Sequence, residues 1–188
     1  MRIKRSIASV LLLAFTATVP NIVAQRPRQF TRDELISAAR ETMTSTRYCA
    51  LITTDRTGRA HARTMDAFAP EENMVVWLAT NPRSRKVAEI RRQPHVTLYY
   101  FDRESQAYVT LYGRAQLVND SAEKAKHWKE DWKAFYPDRD KSYLLIKVTP
   151  DRLEIVNVKK GIVSQSPTWE APSVHFQARG QFKPTKRR

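Results

Sequence analysis

The sequence predicts a mainly β domain, a barrel or sandwich with inserted helices, on three observations. Seven strand-like runs are joined mostly as hairpins. Three helical runs sit among them without the regular strand–helix alternation of a doubly wound fold. The chain has only 4 glycines, and neither a Gly-rich dinucleotide turn nor a Walker-type phosphate loop can be found.

The elements follow in order. Residues 1–24 carry Arg2, Lys4 and Arg5, then an uncharged run from Ser6 to Val19 that is short for a bilayer-spanning helix, then Pro20 and Asn21. This is the pattern of a cleavable signal peptide, with Ala24 before the cut and Gln25 as the first mature residue. The chain is therefore expected to be exported, to a periplasmic or extracellular location, rather than kept on an N-terminal anchor helix. Thr31 to about Thr44 should be a helix: Thr31 is the N-cap, Glu34 its capping-box partner, and Phe30 staples onto Leu35. Tyr48–Thr54 and Arg59–Phe68 flank Asp55-Arg56-Thr57-Gly58, which is turn chemistry, and form a hairpin. Met74–Thr80 is a strand apolar on both faces and hence packed on two sides. Ser84–Arg92 is a short helix stopped by Gln93-Pro94, and His95–Asp102 with Ala107–Val118 make a second hairpin. Ser121–Phe135 reads as a longer helix with Trp128, Trp132 and Phe135 on one stripe. Ser142–Val148 and Arg152–Val158 close the pattern as two strands around Thr149-Pro150-Asp151.

Residues 25–163 are thus expected to form one domain with a single core. Residues 164–188, with Arg179, Lys183, Lys186, Arg187 and Arg188 among Pro, Gln and Gly, read as a flexible basic tail. The formal charge is +14; without residues 1–24, which hold three cations and no acid, it is +11. That balance favours an acidic partner, whether nucleic acid, an anionic membrane or a phosphorylated small molecule, without choosing among them. Cys49 stands alone, which excludes an intramolecular disulfide and the ligand spacing of a structural zinc site, so no metal is expected.

The chemistry concentrates where the third strand meets the short helix, in Ala79-Thr80-Asn81-Pro82-Arg83-Ser84-Arg85-Lys86. A helix N-terminus carries partial positive charge and unpaired N–H groups, yet here it meets three cations and no acid. A phosphate would remove that cost: it would receive the Ser84 hydroxyl, free backbone N–H groups, and charge-assisted bonds from Arg85 and Lys86. The alternative open at this point is that the cations simply face water. Arg63 is a second cue. It lies mid-strand on the face of Arg59, His61, Met65 and Ala67, and must either snorkel to solvent or meet an anion.

Arg63-Thr64-Met65, then a strand ending in Ala79-Thr80-Asn81, then Ser84-Arg85-Lys86 with Glu89-Ile90 and Pro94 behind it, resembles the pyridoxamine 5'-phosphate oxidase-like family of FMN-binding split-barrel flavoproteins. Gly113 in a long strand, the Trp-rich run, Phe135-Tyr136-Pro137 and Leu144-Leu145-Ile146-Lys147-Val148-Thr149-Pro150 are similar to its general stress protein branch. The resemblance covers roughly Thr31 to Val158. It implies a split β-barrel of the flavin-binding type, FMN as cofactor and a cofactor-binding set of Arg63, Thr64, Met65, Ala79, Thr80, Ser84, Arg85 and Lys86. Arg63 and Ser84-Arg85-Lys86 would grip the phosphate; the others would line the ribityl chain and ring. It also implies a homodimer with flavin at the interface, which agrees with the third strand being apolar on both faces. Tyr108 stands where the oxidases tend to have an amide, and no C-terminal Arg-His segment is present, so vitamin B6 oxidation itself is not implied.

The functional expectation is an exported FMN-dependent oxidoreductase of unnamed substrate, with no side chain assigned as acid or base. A different class is a non-catalytic module that holds flavin or haem in the same barrel, although His61, His95, His127 and His175 are too scattered to name an axial ligand. A third, nucleic-acid binding through Lys126-His127-Trp128-Lys129, is disfavoured because the helical spacing of the tryptophans points to packing.

Overall fold

The computed structural model describes residues 28–176. The signal-peptide segment 1–24 and the chain from 177 onward lie outside the described residues. None of the described helices is long and apolar enough to cross a membrane.

α1 (Arg32–Thr46) starts as its sequence dictates: the Thr31 hydroxyl accepts from the Glu34 N–H while the Glu34 carboxylate accepts from the Thr31 N–H. Leu35, Ala38, Ala39 and Met43 are its buried face. β1 (Tyr48–Thr54) and β2 (Ala60–Asp66) form the expected hairpin, with Asp55 bonded to the Thr57 and Arg59 N–H groups in the turn. β3 (Val76–Thr80) follows, then α2 (Arg85–Arg92), β4 (His95–Asp102) and β5 (Ala107–Val118), β4 and β5 pairing along their full length. α3 (Ser121–Lys126), α4 (Arg139–Ser142), β6 (Leu144–Asn157) and β7 (Ser173–His175) complete the described residues.

The strands make one antiparallel sheet in the order β2-β1-β4-β5-β6-β3, with β7 added to β6. The sheet curls until its two edge strands touch, at the Ala67–Leu78 bridge beside the Phe68 N–H to Trp77 carbonyl bond. Inside lies the core of Leu51, Leu78, Leu98, Val109, Leu111, Ile146, Leu153 and Ile155, closed by α1 through Leu35, Ala39 and Met43. Val75, Trp77, Ala79 and Leu145 face the other way, under Trp132 and Tyr143. The second apolar face of the third strand is therefore covered by the chain's own 127–143 segment.

Three sequence expectations are corrected. The helix expected over 121–135 stops at Lys126; a 3-10 turn over Glu130–Trp132 follows. His127 turns inward to stack on Trp77 at 4.2 Å, while Lys129 and Trp132 are both drawn to Asp66. These contacts do not lie on one helical stripe, and Phe135 is left 74% exposed. The two strands expected around Thr149-Pro150-Asp151 are one strand, β6, with a bulge opposite Tyr112 and Gly113. Pro150 faces Gly113, where a Cβ would stand 2.3 Å from the Thr149 carbonyl oxygen, so only glycine lets the two backbones approach. The domain also does not end at Val163. β3 covers only the first half of β6, and β7 takes the open edge of the second half, burying Val174 beside Leu153. The ordered unit runs at least to Phe176, whose N–H donates to the Asp151 carbonyl.

Candidate functional site

From the Ala67–Leu78 bridge the edge strands part, and a cleft of about 580 Å³ opens between them. β2 supplies Thr64, Met65 and Asp66; the end of β3 supplies Ala79, Thr80 and Asn81; Ser84 and Lys86 come from the start of α2. Trp132, Phe135 and Tyr136, with Arg47, Tyr48 and Asp131, close the opposite end. Because the cleft sits at the strand edges, side chains from both faces of β2 reach it, Thr64 from one and Met65 from the other. Six of the eight sequence-predicted residues thus line one cleft. A larger cleft of about 770 Å³ elsewhere, among Arg32, Ile36, Arg114, Lys147 and Phe176, collects none of them.

One end of the smaller cleft gathers a cation and two hydroxyls. The Lys86 ammonium donates to Thr80 Oγ1 at 3.1 Å, and Thr80 Oγ1 lies 2.9 Å from Ser84 Oγ. Ser84 is the N-cap of α2 and makes no side-chain cap bond; its carbonyl accepts from the Val87 N–H at 3.0 Å, while its hydroxyl satisfies none of the first-turn N–H groups. Burial, followed by the charges of Arg63 and Arg85, pushes the Lys86 ammonium below its ordinary range; Glu89 works the other way. An entering anion would relieve that strain.

The remaining two predicted residues stand behind this end. Arg63 donates from Nη1 to the Leu51 carbonyl (3.2 Å) and Thr53 Oγ1 (2.5 Å), and from Nη2 to Glu89 Oε2 (3.1 Å). Arg85 Nε lies 3.0 Å from Glu89 Oε1. Thr53 donates to Glu89 Oε2 as well. Burial raises the Glu89 carboxyl, but the Thr53 hydroxyl and the Arg63 and Arg85 guanidinium groups together hold it below the ordinary carboxylate value. Arg85 is largely solvated and paired one turn on, whereas Lys86 turns into the cleft.

The other end is organised by Asp66. Its carboxylate accepts from Arg47 Nε (2.8 Å) and Nη2 (2.7 Å), from Lys129 Nζ (2.6 Å) and from the Trp132 indole N–H (3.0 Å). Burial works against the charge, yet these four donors outweigh it and hold the acid well below the ordinary range. Arg47 adopts φ 60°, outside the usual region for a side-chain-bearing residue, at the turn that ends α1 and opens β1. Sequence reasoning missed Asp66, Arg47 and Tyr136, whose meeting depends on long-range folding. It also passed over Glu89, although its position four residues after Arg85 is a helical ion-pair spacing.

A cationic, hydroxyl-bearing end, a 5-residue strand wall and an aromatic far end suit an elongated ligand with a phosphate at one end and a ring at the other, the chemistry of FMN. No lining residue is a histidine.

The family model described as pyridoxamine 5'-phosphate oxidase like matches residues 34–166. General stress protein 26 of Bacillus subtilis (strain 168) is 26% identical over 110 residues, 56% of this chain and 77% of that one. The crystal structure of general stress protein 26 from Bacillus anthracis str. Sterne superposes with a TM-score of 0.55 at 26% identity, covering 64% of this chain and 93% of that chain. A pyridoxamine 5'-phosphate oxidase-related, FMN binding protein from Nostoc punctiforme shares the fold at 15% identity, TM-score 0.55, covering 78% of this chain and 96% of that chain.

Proposed function

Since the chain belongs to the pyridoxamine 5'-phosphate oxidase-like family, we propose that it is an exported FMN-binding protein acting as a flavin-dependent oxidoreductase. The observation that carries the reading is the convergence of Thr64, Met65, Ala79, Thr80, Ser84 and Lys86 on one cleft, with Arg63 and Arg85 behind its cationic end. Lys86, the Thr80 and Ser84 hydroxyls and the first N–H groups of α2 would hold the phosphate. Thr64, Met65 and Ala79 would flank the ribityl chain and ring, and Trp132 and Tyr136 would keep water from the ring. When bound, FMN supplies the hydride and electron chemistry. The chain's own residues bind, orient and shield it, and none is assigned as acid or base.

A homodimer is part of the proposal. On the outer face of β4 and β5, Tyr99 and Tyr108 stack with ring centres 5.9 Å apart and Phe101 is 56% exposed beside them. This uncovered aromatic face suits a second copy of the chain. Export rests on residues 1–24, and intact mass of secreted material beginning at Gln25 tests it.

The absorbance spectrum of purified protein, followed by titration with FMN and with riboflavin, tests the cofactor. Flavin bands and a preference for FMN are expected. A haem Soret band, or equal affinity for the two flavins, would overturn the phosphate assignment, and light scattering that reports only monomer at micromolar concentration would overturn the dimer.

A further inference from the structure

We propose that Glu89 is a positioning residue, holding Arg63 and Arg85 together behind the phosphate end of the cleft; the inference rests on the FMN reading above. Glu89 is 5% exposed. Its Oε2 accepts from both Thr53 and Arg63, which itself bonds Thr53, so the three side chains close a ring. Its Oε1 is buried without a hydrogen bond and meets Arg85 Nε by charge alone at 3.0 Å.

This geometry decides where the cations can go. Three of the five N–H groups of Arg63 are committed, to the Leu51 carbonyl, Thr53 and Glu89, which fixes the guanidinium plane and leaves two donors for an anion. Arg85, 65% exposed at its side chain, has no other described ion pair to restrain it. Without the acid, the two guanidinium groups and the Lys86 ammonium would repel one another, and Arg63 would keep only neutral partners in a largely buried place. With it, three cations and one acid leave a net charge of about +2, which balances the roughly −1.5 to −2 of a phosphate monoester at neutral pH.

The test turns on the sign of one change. A carboxylate beside a phosphate site repels the ligand, so if Glu89 did nothing but carry charge, its removal would tighten FMN. If it positions Arg63, Glu89→Ala should weaken FMN by about 10- to 100-fold, the equivalent of one charge-assisted hydrogen bond. Riboflavin, which lacks the phosphate, should stay within about twofold on the same reasoning. Glu89→Gln keeps an oxygen for Thr53 and Arg63 and should recover most of the loss; if the alanine variant does not fold, this variant decides, with a roughly 3- to 10-fold weakening for FMN alone. FMN affinity equal to or tighter than wild type in the folded variants, or a parallel loss of riboflavin, overturns the positioning role. A wild type that does not prefer FMN over riboflavin sinks the parent reading instead, so the two failures are separate.

Discussion

Lys86 and Arg85 are neighbours in sequence, but the fold predicts very different effects for their replacement. The Lys86 ammonium turns into the cleft onto Thr80, in surroundings that disfavour its charge. A phosphate there gains a charge-assisted bond worth about 1.5–3 kcal/mol, so Lys86→Met should weaken FMN by roughly 10- to 150-fold. Arg85 is 65% exposed and already faces Glu89. Its contribution is that of a surface ion pair, about 0–1 kcal/mol, and Arg85→Ala should cost at most about fivefold. Methionine keeps the apolar stem of Lys86 and removes a cation that burial disfavours, so the ligand-free variant should melt no lower than wild type. The pH dependence has a definite sign. FMN favours charged Lys86, so affinity is full below the lowered value of this lysine and falls as pH rises through it, before the 10.5 of a free lysine. Lys86→Met should lack that step. Fluorescence titration of wild type and both variants with FMN and riboflavin reads all of this. A larger loss for Arg85→Ala than for Lys86→Met, or equal losses for the two flavins, would refute the reasoning.

Asp66→Asn should destabilise the fold by on the order of 3 kcal/mol in chemical denaturation, because it leaves Arg47 and Lys129 without their acid. Since the Asp66 carboxyl is held below its ordinary 3.8, its stabilising effect is complete above about pH 4 and is lost as pH falls further; the acid-unfolding curve of Asp66→Asn should be flatter in that window. Gly113→Ala should cost about 1–3 kcal/mol or more, measured by thermal melting, since the added Cβ meets the backbone of Thr149 and Pro150 rather than a movable side chain. Cys49 is buried and burial pushes its thiol up to about 12, so a thiol reagent near neutral pH should label it only after denaturation, and prompt labelling of native protein would contradict that burial.

Local chemistry decided what the sequence could tell by itself. The capping box of Thr31 and Glu34, the Asp55–Gly58 turn, the two hairpins and the helix after Ser84 depend on residues close together in the chain, and they are found where expected. The alternation and turn chemistry fixed the β class, and the ordered set from Arg63 to Lys86 located six of the residues that meet in the cleft. Tertiary structure decided the rest. Residues 121–135 have helical spacing, but His127 is held on Trp77, and Lys129 and Trp132 on Asp66, contacts some 50 to 66 positions away that one straight helix could not make together. Pro150 reads locally as a turn, yet the strand passes through it because Gly113, 37 positions earlier, lets the chains approach. Likewise Val174 reads as tail until the half-covered edge of β6 is known. The roles of Arg63, Arg85 and Lys86 divided in the same way: sequence marked all three as cations near an anion site, and only the placement of Glu89 between two of them showed which one enters the cleft. Charge and periodicity are properties of the chain, whereas which charge is buried, and against what, is settled only when distant strands meet.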